Sequence, residues 1–243
     1  MTDHQSGLTA IVPAAGIGSR MGASCPKQYL SLAGKCILEH TLERLLSHPA
    51  IARVIVALAP HDAWFETLAV AADPRVLRVE GGSERAHSVL NGLHVAQGEW
   101  VLVHDAARPC LTHDDLDRLI ATAMACDGAI LGSRVRDTMK RSDEAGNILA
   151  TVDREQLWHA LTPQMFPRLA LRRALEEGLA LGADITDEAS AMERAGFTVR
   201  MVEGRADNIK VTRPEDLSLA GLFLQQQCAR QPARPDSPAE EQA

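Results

Sequence analysis

Short apolar runs rich in β-branched residues alternate along this chain with stretches whose apolar positions recur every three to four residues. Leu8–Pro13, Arg53–Ala59, Val76–Glu80, Trp100–His104 and Gly128–Ser133 have the character of buried strands. Between them, Leu38, Leu42, Leu45 and Leu46 share one helical face, and Leu116, Leu119, Ile120 and Ala123 share another. The second of these helices carries its own start signal, Thr112 followed three residues later by Asp115. Strand, helix and strand repeating at this spacing predict βαβ units, and so an α/β fold with a doubly wound, mostly parallel sheet.

The rhythm changes after Ser133. Val135–Lys140 and Ile148–Val152 flank a polar turn over Arg141–Asn147, which predicts an inserted β-hairpin arm at about residues 135–154. A two-stranded ribbon alone is marginal in water, so the arm is expected to pack on a partner subunit. Helical patterning resumes at Arg168–Leu181 and Asp187–Ala195, and a strand is expected at Thr198–Glu203. Pro214 suits the first turn of a last helix reaching about Cys228. Residues 1–228 then form a single domain, and the Pro- and charge-rich residues 229–243 are expected to be a disordered tail.

Composition narrows the classes. The 243 residues suit one large domain, and with 46% hydrophobic but only 3% aromatic residues the core must be built from Leu, Val, Ile and Ala. A net charge of −7 provides no global field for nucleic acid or an anionic membrane, so any phosphate partner must be met by locally concentrated positive charge. The five cysteines are odd in number and contain no Cys-x-x-Cys pair, against both a disulfide framework and a zinc knuckle. Met1–Thr9 has no basic start and apolar run, and no stretch approaches the roughly 20 apolar residues that span a bilayer. A cytoplasmic protein is expected.

The strongest chemical signal follows the first strand, in Ile11-Val-Pro-Ala-Ala-Gly-Ile-Gly-Ser-Arg-Met-Gly-Ala-Ser-Cys-Pro-Lys27. Small residues at Ala14, Ala15, Gly16 and Gly18 let backbone N–H groups come close to a phosphate chain. Met21 stands where a dinucleotide fingerprint needs its last glycine, and no Gly-Lys-[Ser/Thr] makes a P-loop. What replaces them is a glycine turn followed by two cations, Arg20 and Lys27, a pairing suited to a triphosphate. The plainer reading is a tight turn with two solvated cations.

PAAGIGSRM with CPKQYL resembles the signature of the nucleotidylyltransferases that activate sugars and polyols, and more narrowly the 2-C-methyl-D-erythritol 4-phosphate cytidylyltransferase family, over roughly residues 8–225. The resemblance implies a Rossmann-like nucleotidyltransferase fold and transfer of CMP from CTP to a polyol phosphate with release of pyrophosphate. It also implies Mg²⁺ or another divalent cation, and a homodimer joined through the hairpin arm. Arg20 and Lys27 would be catalytic; Ala14, Ala15, Gly16, Gly18, Gly82, Ser88 and Ala106 would line the nucleotide site. Gly82 and Ser88 belong to Gly-Gly-Ser-Glu-Arg85-Ala-His-Ser after the third strand, where Ser88 reads the base or is simply a helix-start hydroxyl. Arg85 either braces that loop or is exposed.

The segment Val101-Leu-Val-His-Asp105-Ala-Ala-Arg108-Pro ends a central strand, where ligands bind in such sheets. Asp105 could bind the metal directly or through water, or hold a substrate hydroxyl. By resemblance, Asp105 and Arg108 meet the polyol phosphate, with Lys210 on its phosphate and Thr138 and Arg154 reaching in from the neighbouring subunit. His104 reads as a packed core histidine, and the acids Asp184, Asp187 and Glu188 as structural groups at a helix start. The ribitol 5-phosphate cytidylyltransferases are similar over the same motifs, although the PKQY, VHDAARP and DNIKVT stretches favour the methylerythritol family. A non-catalytic nucleotide-binding regulator is the reading from another class, against which intact cations at Arg20, Lys27, Arg108 and Lys210 argue.

Overall fold

The computed structural model describes residues 7–16 and 25–230. Gly18 and Arg20 therefore lie outside the described residues, as do residues 231–243. The chain runs through β1 (Leu8–Pro13), a small hairpin of β2 (Ser31–Leu32) and β3 (Lys35–Cys36), α1 (Ile37–Leu46), β4 (Ile51–Leu58) and β5 (Val76–Glu80). It continues through α2 (Arg85–Val95), β6 (Trp100–Val103), α3 (His113–Ala123) and β7 (Ala129–Arg134). The arm strands β8 (Met139–Ser142) and β9 (Ile148–Val152) follow. The last elements are β10 (Trp158–Pro167), α4 (Arg168–Ala180), α5 (Glu188–Arg194), β11 (Arg200–Glu203) and α6 (Pro214–Arg230).

Seven strands form the central sheet in the order β11-β7-β10-β6-β1-β4-β5. β1 pairs in parallel with both β4 and β6, β4 with β5, and β11 with β7, whereas β10 runs antiparallel to β6 and β7. Side chains alternate between the two faces, and each face has its own core. Ala10, Val12, Val54, Val56 and Leu102 pack with Leu38, Leu42 and Leu45 of α1 and Leu116 and Leu119 of α3. Ile11, Ile55, Val101 and Val103 pack on the opposite side with residues of α2, α4 and α5. Helices on both faces of a mostly parallel sheet make the fold doubly wound. A third cluster joins Ala220 and Leu224 of α6 to Leu32, Ile37, Cys110 and Val211, so the last helix covers the β2–β3 hairpin.

Three features depart from the sequence reading, the third in the hairpin arm. β10 has no counterpart there, although it lies between β6 and β7. Its sequence, WHALTPQMFP, lacks alternation and contains Pro163, which cannot donate a ladder hydrogen bond and so argues against a central strand. The register against β7 shifts between Ala160 and Gln164, a bulge that accommodates the proline. At the other end, α6 extends through Arg230 rather than stopping near Cys228.

The hairpin forms a separate two-stranded antiparallel sheet. It begins at Met139, not Val135, because Val135 N–H is still bonded to the Leu157 carbonyl at the base of the arm. The arm presents Met139, Ile148 and Leu149 to solvent. Among the described residues, no helix is long and apolar enough to cross a membrane.

Candidate active site

The parallel strands β1, β5 and β6 release their carboxyl-terminal loops at the same edge of the sheet, where ligands of such folds bind. There the loops enclose a cleft of about 210 Å³. Ala14, Ala15 and Gly16 follow β1, Gly82, Arg85 and Ser88 follow β5, and Asp105 and Ala106 follow β6. Lys27, Gln28 and Lys210 complete the wall. The structure thus gathers from distant parts of the chain most of the residues singled out in the sequence.

Close packing fixes the loops. Ala14 N–H donates to the Ala57 carbonyl at 2.8 Å, and the buried Gln28 amide donates to the Ala14 carbonyl at 2.7 Å. A Cβ on Gly81 would lie 2.3 Å from the Ala15 methyl, so glycine is what allows the β1 and β5 loops to touch. At Gly82 a Cβ would fall 2.2 Å from His87 Cβ. Gly82 N–H donates to Ser88 Oγ at 3.0 Å, and that hydroxyl donates to the Glu84 carbonyl at 3.2 Å. Ser88 is buried, so the solvated helix-start alternative does not hold. Lys27 opens a 3-10 turn and its Nζ donates to the Val211 carbonyl at 3.2 Å. The same turn is anchored by Tyr29, whose hydroxyl donates to Asp62 Oδ2 at 2.7 Å and whose ring stacks on Trp64.

Asp105 is the electrostatic centre. Its Oδ1 accepts from Arg85 Nε at 3.0 Å, while Oδ2 lies 2.9 Å from Lys210 Nζ and 3.5 Å from Arg108 Nε. Burial would raise its pKa, but Arg85, Lys210 and Arg108 overcome that and hold the carboxyl well below the usual carboxylate range. It is therefore an ionised, acceptor-only group at any ordinary pH. With both oxygens already engaged by cations, Asp105 does not fit a direct metal ligand. Among the described residues, no group of three or more His, Cys, Asp or Glu side chains could cage a metal.

Arg108 differs from its expected place. Its Nη1 donates to the Asn208 carbonyl at 2.8 Å, and the buried side chain braces Asp105 from behind instead of lining the cleft. Thr138 and Arg154 sit exposed at the arm, with Arg154 Nη1 donating to the Arg136 carbonyl, and neither lines the cleft of its own chain.

Two contributors were not legible. Arg85, undecided in the sequence, bridges Asp105 and Glu188, meeting the latter with Nη1 and Nη2 at 2.6 and 3.0 Å. The sequence reading treated Glu188 only as a helix-start acid. That role belongs to Asp187, whose carboxylate accepts from Ser190 N–H at 2.9 Å. Arg85 opens the helix behind the glycine pair, which was a usable clue. Glu188 lies 103 residues from its partner and left none.

His104 is neutral and structural. Thr162 Oγ1 accepts from Asp105 N–H at 3.0 Å, so its own proton goes to His104 Nδ1 at 3.0 Å. That assigns the imidazole proton to Nε2, which donates to the Arg108 carbonyl at 3.0 Å. Burial pushes its pKa from 6.5 down to about 4. Between those values the unfolded chain binds more protons, so this contribution is complete above the unfolded pKa and is lost as pH falls toward about 4. The full loss is on the order of 3 kcal/mol. His104→Gln, which can keep one acceptor and one donor, should flatten the fall in urea midpoint between pH 7 and pH 4.5; a slope equal to wild type would contradict the assignment.

Comparison with known proteins agrees with this geometry. The family model described as 2-C-methyl-D-erythritol 4-phosphate cytidylyltransferase (IspD) matches residues 8–226. A protein of that name from Aeromonas hydrophila is 88% identical over 243 residues, the whole of both chains. Another from Shewanella amazonensis is 62% identical over 224 residues, covering 90% of this chain and 94% of that protein. Among solved structures, the Francisella tularensis 2-C-methyl-D-erythritol 4-phosphate cytidylyltransferase superposes with a TM-score of 0.78 at 34% identity, over 89% of this chain and 99% of that one. The Thermus thermophilus protein of the same name gives a TM-score of 0.76 at 30% identity, over 90% and 99%. The chain belongs to the 2-C-methyl-D-erythritol 4-phosphate cytidylyltransferase family.

Proposed function

We propose that the cleft transfers CMP from CTP to the phosphate of 2-C-methyl-D-erythritol 4-phosphate and releases pyrophosphate, supplying an isoprenoid precursor route. The observation that carries this reading is the cleft that joins the glycine loop and Lys27 to the Asp105–Lys210 pair. An oxygen of the acceptor phosphate attacks the α-phosphorus of CTP; the new O–P bond forms as the bond to the β-phosphate oxygen breaks. The attacking oxygen is already anionic near pH 7, so no general base is needed. The neutral, fully engaged His104 is not one.

The obstacle is repulsion between two anions. Lys27, with Arg20 beyond the described residues, offsets charge on the triphosphate and the leaving pyrophosphate. Mg²⁺ or another divalent cation would add positive charge against the triphosphate, and Asp105 would meet it through water. Ala14, Ala15, Gly16 and Ala106 allow close approach of the nucleotide. Ser88 Oγ donates to the Glu84 carbonyl at 3.2 Å, which leaves an oxygen lone pair to accept a further hydrogen bond. That suits the cytosine amino group.

Asp105, being acceptor-only, takes an acceptor hydroxyl, while Lys210 takes the acceptor phosphate. Arg108 contributes by bracing Asp105. The exposed apolar residues of the arm support a homodimer in which Thr138 and Arg154 reach the partner's acceptor end. Five unpaired cysteines support a reducing cytoplasm. The family model and the quoted relatives carry the methylerythritol name, so neither the ribitol reading nor a non-catalytic regulator is favoured.

Pyrophosphate release should be rapid with CTP and 2-C-methyl-D-erythritol 4-phosphate and slow with ribitol 5-phosphate. Lys27→Ala should lower kcat by about 10²–10³. Near-normal turnover by the folded variant would remove Lys27 from the chemistry. For the arm, mixing inactive Lys27→Ala with inactive Arg154→Ala should restore part of the activity through subunit exchange. Verified mixed dimers that stay inactive would contradict a shared site.

A further inference from the structure

Four charged side chains stand in an alternating row: Glu188, Arg85, Asp105 and Lys210. Glu188 is only 1% exposed and comes from α5, outside the loops that line the cleft. Its carboxylate receives both terminal nitrogens of Arg85 in a two-pronged, charge-assisted pair. Only Nε remains for Asp105, and it takes Oδ1 alone. Oδ2 therefore faces Lys210, at the cleft end of the row.

We propose that Glu188 is a positioning residue for acceptor recognition: by occupying both prongs of Arg85, it keeps Arg85 from closing over both oxygens of Asp105. The proposal rests on the reading of Asp105 and Lys210 as the acceptor end of the cleft. A guanidinium released from Glu188 would still face a buried carboxylate, and its best remaining geometry is a two-pronged pair with that carboxylate. Such a pair would take Oδ2 away from Lys210 and from any incoming hydroxyl. The hydrogen bonds that hold the glycine loop and Ser88 do not involve Glu188, so the nucleotide end would be less affected.

Docking of α5 does not depend on Glu188. Asp187 caps the helix through Ser190 N–H at 2.9 Å. The Gln164 amide donates to Asp187 Oδ2 at 2.9 Å, and Ala189 N–H donates to Gln164 Oε1 at 2.9 Å. With the helix start held by these bonds, the buried charge of Glu188 has no packing task that a neutral residue could not perform. Removing one partner of a buried ion pair is commonly costly, so Glu188→Gln should lower the urea midpoint, with Arg85 keeping Asp105 as its remaining partner.

The test is steady-state kinetics with CTP and 2-C-methyl-D-erythritol 4-phosphate varied independently, on wild type, Glu188→Gln and Asp105→Asn, with circular dichroism and urea midpoints confirming the fold. Glu188→Gln should raise the acceptor KM about 10-fold or more, while the CTP KM and kcat each stay within about 3-fold. Glu188→Asp keeps the charge but is too short to meet both nitrogens, and should fall between. An unchanged acceptor KM in folded Glu188→Gln, or equal deterioration of both KM values, overturns the proposal. If Glu188→Gln does not fold, Glu188→Asp carries the same comparison, and an unchanged acceptor KM there overturns it too. If Asp105→Asn leaves the acceptor KM unaltered, the acceptor-end reading fails and the proposal falls with it. If Asp105→Asn raises the acceptor KM and Glu188→Gln does not, the proposal alone falls.

Discussion

A buried carboxylate is costly unless cations and hydrogen bonds surround it, and Asp105 is buried at the end of the strand that borders the cleft. Arg85 from the helix after β5, Arg108 from the same loop and Lys210 from the segment before α6 all converge on it. Meeting that one charge draws three parts of the chain to a point. The segment around Lys210 is stitched down accordingly. Val211 N–H bonds the Ala107 carbonyl, the Asn208 amide bonds the Thr162 carbonyl, and Val211 in turn accepts from Lys27. Lys27, proposed for the triphosphate, and Lys210, proposed for the acceptor, are thus tied to one segment.

This arrangement explains how an acidic chain handles two anionic substrates. A global positive field would be inconsistent with the net charge of −7, so the charge that meets the substrates is concentrated locally at the cleft. Compensation inside the site is graded. Arg85 is nearly neutralised by Glu188 and Asp105, and Arg108 is turned away, whereas Lys27 and Lys210 line the cleft itself. Lys27 and Lys210 bring flexible point charges to the cleft, and the planar guanidinium groups of Arg85 and Arg108 frame Asp105. Within this cluster His104 holds backbone and hydroxyl groups in place with a neutral ring.

The parts legible in the sequence were those governed by local physics. β1 and its small-residue loop, the helix start at Thr112 and the cap at Asp187 follow from periodicity and short-range hydrogen bonding. The family followed from motifs spread over most of the chain. β10 escaped because Pro163 disguises it, and its place in the sheet depends on a bulge that no local pattern announces. Arg108 lies three residues from Asp105, and nothing in that spacing announces that its guanidinium turns back to the Asn208 carbonyl. The Arg85–Glu188 pair spans 103 residues, and only the packing of α5 against α2 and α4 brings it together. Long-range compensation of a buried charge is a property of the folded chain, and sequence spacing does not encode it.

In the proposed mechanism a rigid charge frame promotes direct attack of one substrate on the other, with no protein nucleophile in between. The stereochemistry at the α-phosphorus tests this most directly. CTP made chiral there by a sulfur substitution, turned over with 2-C-methyl-D-erythritol 4-phosphate, should give product of inverted configuration, as a single in-line displacement requires. Retention of configuration would mean two successive displacements through a covalent enzyme intermediate, and would contradict the account.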